Sequence, residues 1–520
     1  MTASEIAKVQ SDLNRMTQGR ILDPGDPGYA DAITIDNNRV SLQPYLVVLP
    51  ANADDVATIV KYCHQHGVPL TTKAGGHSAT GYCLNAEGVV MDLGDMNSVD
   101  FVKGDTSRIT VGTGTRWIKA YNFLRDRQSP LTVIGGGCAG VGVAGFVLGG
   151  GYSFISRSYG LGCDSVTGME FITADGNKLE LNDSSSGDEA ALYRALRGGG
   201  GGNFGVVTRI DLQLHKTNER RMMMGQIDFP FYQIKDILRF YNQWVLTLPD
   251  EMAVYGMLRN FPDPRFGGKP ALTLRFTPIY NGKFSDGMAL LEPLTKIAKR
   301  TVKSEILPPK SVELYTMSLP EWENFVGTST QIKGHSAYIR SSILPPESLT
   351  DDVADICMEN LSRAPSPDSY VVWTHTGGKI RKNGEKGKNG KMPVKSVYAH
   401  RDGLFTFELK SVWASAQPLQ ARPNIEWAVK FYDELGEHAQ GAYLNYIDPL
   451  LLDWKKSYYR HEYEGLLKVR ERWDPKGLFH FQQCIGSEYE TARREKGKPL
   501  DLSPLTRTLI DVKKNGGNRG

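Results

Sequence analysis

The chain has 520 residues, 40% hydrophobic and 23% charged, enough for two domains with substantial cores and incompatible with a disorder-dominated chain. A balance of 61 basic against 58 acidic residues, net +3, gives no overall field for nucleic acid or an anionic membrane. The six cysteines, at 63, 83, 138, 163, 357 and 484, show neither C-x-x-C spacing nor paired histidine ligands, which argues against zinc and iron–sulfur sites, so no metal is expected.

The amino-terminal MTASEIAKVQSDLNRM is polar and lacks an apolar stretch of the kind secretion requires, and no segment reaches the length of a membrane span. The expectation is a soluble, cytoplasmic protein, with secretion the alternative if a leader has been trimmed. Residues 30–48 read as short β-rich runs. DDVATIVKYCHQHG is an amphipathic helix with Val56, Ile59, Val60 and Cys63 on one side, followed by a strand, VPLTTKAGG, that enters a glycine turn. GVVMDLGDM and SRITVGTGT read as strands, and TRWIKAYNFLRDRQ has helical spacing from Trp117 through Ile118, Tyr121 and Leu124. SVTGMEFITADGNKLEL is a hairpin turning at Asp175-Gly176, and DEAALYRALRGG is a helix stopped by glycine. VVTRIDLQLH is the strand that closes this first segment near residue 215. Beyond it come strands such as ALTLRFTPIY and LFTFELKSVW and the helix PNIEWAVKFYDELGEH. This order of strands and helices implies an α+β fold.

Two nucleophilic side chains stand in glycine-rich loops: His77 in KAGGHSATGY and Cys138 in GGGCAGVGVAGFVLGGGYS. Glycine lacks a Cβ, so main-chain N–H groups there can approach phosphates or the edge of a planar ring. A linker would carry polar neighbours without apolar periodicity, whereas Val141, Val143, Phe146, Val147 and Leu148 interleave with the glycines. The pattern points to buried backbone against a ligand. The plainer alternative makes His77 a turn histidine and Cys138 a buried thiol.

Five stretches carry a resemblance in the correct order: PYLVVLPANADDVATIVKYCHQHGVPLTTKAGGHS, CAGVGVAGFVLGGGYSFISRSYGLGCDSV, LYRALRGGGGGNFGVVTRI, AYLNYID and LKVRERWDPKGLFHFQQCI. The chain resembles the flavoproteins of the vanillyl-alcohol oxidase superfamily, and within it the berberine-bridge-enzyme-like group. About residues 216–395 the likeness is loose. It implies a two-domain α+β fold: a PCMH-type FAD-binding domain built from residues 1–215 and 440–490, a substrate-binding domain over 216–439 with a mixed or antiparallel sheet covered by helices, and a tail, 491–520, expected to be poorly ordered.

The same resemblance implies FAD bound covalently, through His77 to the 8α-methyl of the isoalloxazine and through Cys138 to its C6. Backbone amides of the turn 74–78, with Ala74, Gly75, Gly76 and Ser78, and of residues 137–145, with Gly137, Gly142 and Gly145, would hold the pyrophosphate, and Lys73 before the turn is also expected at the cofactor. Gly202, Asn203, Phe204 and Val206 would lie along the adenine and ribose, with Tyr443 and Asn445 also in contact. Val141 matches a position beside the flavin where a small side chain leaves room for O2.

Hydride transfer to flavin needs a base on the opposite face of the donor carbon. Tyr446 and Tyr152 match tyrosines of the family's active site. The lysine that supports such a tyrosine is absent from its expected place, where Thr406 stands, and Glu408 two residues on is a carboxylate that could itself be the base. Glu408 reads equally as a solvent-facing residue of an alternating strand. Phe146 replaces a histidine of the family, Ser153 a glycine, and Ser78 an aromatic. The expected activity is an oxidase acting on an alcohol, hemiacetal or amine of a bulky small molecule with release of hydrogen peroxide. An oxidative or redox-neutral cyclase of secondary metabolism and an oligosaccharide oxidase are the alternatives. Trp373, His375, Phe407 and Trp413 are candidates for the substrate-facing wall. The partners expected are substrate and O2, with no nucleic acid and no membrane; oligomeric state is not legible. The basic run 379–395, KIRKNGEKGKNGKMPVK, lacks interleaved aromatics and reads as a solvated loop, with a polyanionic ligand as the alternative.

Overall fold

A computed structural model describes residues 1–262, 267–300, 311–319, 321–322, 335–385, 394–414, 418–489 and 505. The middle of the basic run and the tail from residue 490, apart from 505, lie outside the described residues.

The amino-terminal half builds two sheets. One has four strands in the order Arg20–Leu22, Leu46–Leu49, Val89–Asp92, Leu70–Lys73, the last three mutually parallel. The parallel pairing follows from the crossover helix Ala53–His66, whose Val56, Ile59, Val60 and Cys63 are fully buried against this sheet. Asn52 caps that helix, its side-chain oxygen accepting from Asp54 and Asp55 N–H at 3.0 Å each. The second sheet is antiparallel, ordered Val99–Val102, Asp105–Gly112, Val206–Gln213, Val166–Ile172, Lys178–Asn182. The hairpin expected at Asp175-Gly176 joins the last two.

A second lobe is one antiparallel sheet of seven strands. Its order is Ser311–Met317, Met222–Pro230, Pro270–Tyr280, Met252–Pro262, Tyr370–His375, Phe405–Trp413, Ser336–Leu344. Helices Ile234–Trp244, Asp351–Ser362 and Pro418–Leu435 cover one face, burying Ile237, Tyr241, Val353 and Phe431 against Phe276, Trp373, Phe405 and Phe407. Each large apolar side chain so buried contributes about 1.5–3 kcal/mol. The opposite face is turned to the first lobe.

The chain then goes back to the first lobe. Ala442, Tyr443, Leu444, Trp454, Tyr459 and Leu466 join the core formed by Trp117, Val143, Phe171 and Ile210. Asp448 fastens this segment to the seven-stranded sheet. It accepts from the Tyr338 hydroxyl and lies 2.7 Å from Arg340 Nε, all three groups being buried. A second tie runs from Arg157 to the Met252 and Thr376 carbonyls, at 2.7 and 2.6 Å, and to His375 Nε2 at 2.9 Å.

Two local readings change. The β-rich expectation for 30–48 gives way to a helix, Tyr29–Ile33, and an irregular stretch before the strand at Leu46, because Tyr29 and Ala32 bury at helical spacing. A helix not anticipated, Ala3–Met16, is fixed by reciprocal bonds between Thr2 and Glu5, the T-x-x-E capping pattern, and buries Val9 and Leu13. The start of the basic run is also helical, Lys379–Gly384. Among the described residues no helix is long and apolar enough to cross a membrane.

Candidate active site

Between the lobes lies a cavity of about 730 Å³, in the upper part of the usual range for small-molecule sites. Its walls come from the two glycine loops, from the turn 200–203 and strand start at Val206, from the open face of the seven-stranded sheet, and from the returning segment at 443–447 and 479–481.

The glycine loops meet main chain to main chain. A Cβ on Gly75 would fall 2.4 Å from Gly142 N, and one on Gly142 would fall 2.7 Å from Gly75 N. Only two glycines permit this approach. The second loop is pinned to the start of the helix Trp117–Asp126: Trp117 N–H donates to the Val141 carbonyl at 3.0 Å and Ile118 N–H to that of Ala139 at 2.8 Å. His77 and Cys138 therefore border the same cavity from two loops in contact. The His77 ring hydrogen-bonds the Gly140 main chain and has Asp36 Oδ2 3.7 Å from its Nδ1. Burial outweighs Asp36 and lowers its pKa, leaving a neutral imidazole whose lone pair is available. All six cysteines are free thiols in this structure.

Ala74, Gly75, Gly76, Ser78, Gly137, Val141, Gly142 and Gly145 line the cavity, as do Gly202, Asn203, Val206, Tyr443 and Asn445. Lys73 and Phe204 do not. The Lys73 ammonium turns into the protein to pair with Asp92 at 2.8 Å, both groups buried, and the Phe204 ring is in the core with Phe171 and Leu196. Asn203 acts on the loop itself, its amide joining the Gly199 and Gly200 carbonyls and the Ile485 N–H. Asn445 donates to the Phe146 carbonyl and the Tyr443 hydroxyl, and that hydroxyl accepts from Gly151 N–H. Phe146, where the family pattern has histidine, packs edge-on against Trp117 at 5.1 Å.

The sheet face carries the polar chemistry. Strand alternation puts Thr406, Glu408, Lys410 and Val412, with Tyr370, Val372 and Thr374 of the neighbouring strand, on the cavity side. The same alternation sends Trp373, His375, Phe407 and Trp413 to the opposite face, where they are buried, three of them in the helix-covered core and His375 on Arg157. The expectation that these four line the substrate wall is thus corrected: a period of two cannot place Phe407 and Glu408 on one face.

Glu408 accepts a hydrogen bond from the Tyr446 hydroxyl. Burial raises the carboxyl pKa, while Lys410 and Tyr446 pull it down. Tyr446 is raised far above the phenol range, by burial and then by Glu408. That is the reverse of what a tyrosinate base needs. Tyr152 bonds Tyr398, a residue the sequence did not single out, and burial pushes it up to about 12. A lysine is present after all. Lys410 stands two residues beyond Glu408 on the same strand face, directly across from Tyr370, to which it donates a hydrogen bond. The i+2 spacing from Glu408 was a legible cue; Tyr370 and Tyr398 had none, being placed by chain path alone.

FAD, the implied cofactor, fits these residues. The paired loops present bare backbone on one wall, and a methyl group on Gly145 would meet no protein atom within 4 Å, so this glycine faces open cavity. Residues 44–182 match the family described as FAD binding domain, and residues 442–486 the family described as berberine and berberine like. A tetrahydroberberine oxidase of Argemone mexicana is 24% identical over 482 residues, covering 85% of this chain and 83% of that one. A glucooligosaccharide oxidase of Sarocladium strictum is 26% identical over 474 residues, covering 86% and 88%. The solved structure of BBE-like 1 from Physcomitrella patens shares the fold with a TM-score of 0.76 at 22% identity, over 92% of this chain and 98% of that one. Fold, cavity and the matched domain define a two-lobed FAD-binding flavoprotein. The chain joins an FAD binding domain to a berberine and berberine-like segment and is an FAD-linked oxidoreductase.

Proposed function

We propose that this chain is an oxidase that carries its FAD on two covalent bonds, to His77 and Cys138, and removes hydride from a carbon bearing OH or NH in a bulky small molecule, with O2 as final acceptor and hydrogen peroxide as product. The observation that carries this reading is the convergence of His77, Cys138 and the Glu408–Tyr446 pair on one cavity. When bound, FAD supplies the hydride acceptor. The neutral His77 ring and the Cys138 thiol are the tethering groups. Val141 leaves a small side chain on the cavity wall for O2 to pass.

Glu408 is the base. Its raised pKa moves a carboxylate toward the operating pH, which strengthens it as a proton acceptor, and the Tyr446 hydroxyl holds it in place. The substrate class follows the relatives, one named for an alkaloid and the other for an oligosaccharide, so both CH–NH and CH–OH donors are candidates. The test is the absorbance of acid-precipitated, washed protein together with peroxide release during turnover. Yellow colour held in the pellet by wild type and by His77→Ala and Cys138→Ala singly, and lost in the double variant, is the expected result. Colour lost to the supernatant from wild type removes the covalent reading.

A further inference from the structure

Among the described residues, the cavity face of the seven-stranded sheet holds one ammonium group, Lys410, and its setting is unusual for a lysine. The side chain is half-buried, and among the described residues no carboxylate comes within 4 Å of it. Its hydrogen-bonding partner is the Tyr370 hydroxyl, whose residue faces it across the ladder, with the ammonium 6.0 Å from the ring centre. Glu408 and Asp36 act on Lys410 only at longer range, and the Glu408 carboxylate is engaged by Tyr446. An ammonium has three N–H donors, and Tyr370 accounts for one. Taking such a group from water without a close anion is costly. An anion arriving with the substrate would offset that cost.

The surroundings narrow the anion. The Arg259 guanidinium lies on the far side of Tyr370, 5.5 Å from the ring centre, but it is paired with Asp368 at 3.5 Å and does not line the cavity, so Lys410 is the cation that faces it. One such ammonium suits a monoanion better than a phosphate, which favours several cations or a fork of donors. Ile339, opposite Lys410 on the other neighbouring strand, and Val412, two residues along, give the same patch an apolar wall, and Tyr370 adds an aromatic one. A carboxylate on an aryl or alkyl body matches charge and wall together.

We propose that Lys410, held by Tyr370, anchors a carboxylate of the substrate. The proposal rests on the reading of this cavity as an oxidase site, and it adds a ruler. Residues two apart on one strand face are separated by about 7 Å. The carbon that loses hydride at Glu408 is then about one benzene ring away from the carboxylate at Lys410.

The test is calorimetric titration of the purified flavoprotein with 4-methylbenzoate and with 4-methylbenzamide, which share a shape and differ in charge. Wild type is expected to bind the acid at least about tenfold more tightly, the scale of a charge-assisted hydrogen bond. Lys410→Met should abolish the preference while leaving the amide's affinity unchanged, and Lys410→Arg should keep part of it. If Lys410→Met does not fold, Lys410→Gln, polar but uncharged, should show the same loss. Equal affinities in wild type, binding of neither compound, or a preference that survives removal of the charge would overturn the proposal. Calorimetry needs no flavin signal, so a colourless pellet in the precipitation test would overturn the covalent reading without deciding this one.

Discussion

The Tyr446 hydroxyl donates to the carboxylate of Glu408, so on the proposed reading the tyrosine expected to act as a base is instead the hydrogen-bond donor to it. Glu408→Gln should then lower kcat by about 10²- to 10⁴-fold with the flavin spectrum unchanged. Tyr446→Phe should cost far less. The sign of its second effect is fixed: the phenol lowers the pKa of Glu408, so its loss raises that value and moves the acid limb of the kcat/KM profile to higher pH. A larger loss in Tyr446→Phe than in Glu408→Gln, or an unmoved limb, would return the base to the tyrosine.

Gly142 and Gly145 are three residues apart and should respond in opposite ways to alanine. At Gly142 the new Cβ strikes Gly75 main chain at 2.7 Å, where nothing flexible can yield. Overpacking of this kind costs about 1–3 kcal/mol and should appear in urea denaturation of the protein. At Gly145 the methyl meets only open cavity, so stability should hold while flavin content falls. Flavin-to-protein absorbance ratios separate the two; full flavin in Gly145→Ala would show that the cofactor does not pass there.

Asp448 joins Tyr338 and Arg340 in the interior and is the clasp between the returning segment and the sheet. Asp448→Asn leaves Arg340 buried without its counter-charge, and about 3–5 kcal/mol of destabilisation is expected in equilibrium denaturation. Double substitution of Asp448 and Arg340 should recover part of that loss.

His400 is buried and bonded through Nε2 to the Ser457 carbonyl at 2.8 Å, and burial lowers its pKa to about 4 from the ordinary 6.5. Between these values the unfolded chain binds the extra proton, so this residue's contribution is complete above pH 6.5 and is lost as the pH falls toward 4. The loss amounts to about 3 kcal/mol at its limit. Unfolding free energies measured from pH 7 down to 4 should fall along that window, and His400→Gln should make the fall shallower.

Local order was largely legible in the sequence because it is set by near neighbours. The helix Ala53–His66, the strand Leu70–Lys73 and the hairpin at Asp175-Gly176 follow from apolar spacing and turn residues within a few positions. Glycine spacing likewise marked both loops that bear His77 and Cys138, since close backbone approach needs glycine wherever it occurs. The T-x-x-E cap at Thr2 was equally local and was overlooked.

Tertiary structure decided which faces and which partners those elements would have. Alternation along Phe405–Trp413 divides Glu408 and Lys410 from Phe407 and Trp413, but whether the even or the odd set meets the cavity depends on which face the helices cover. Tyr152 finds Tyr398 across 246 residues, and Lys410 finds Tyr370 through the register of two strands. The sequence by itself determined the glycine loops and the periods of the elements. Which face Glu408 presents, its contact with Tyr446 and the pairing of Lys410 with Tyr370 were decided by the fold, because pairings over such separations depend on the path of the whole chain.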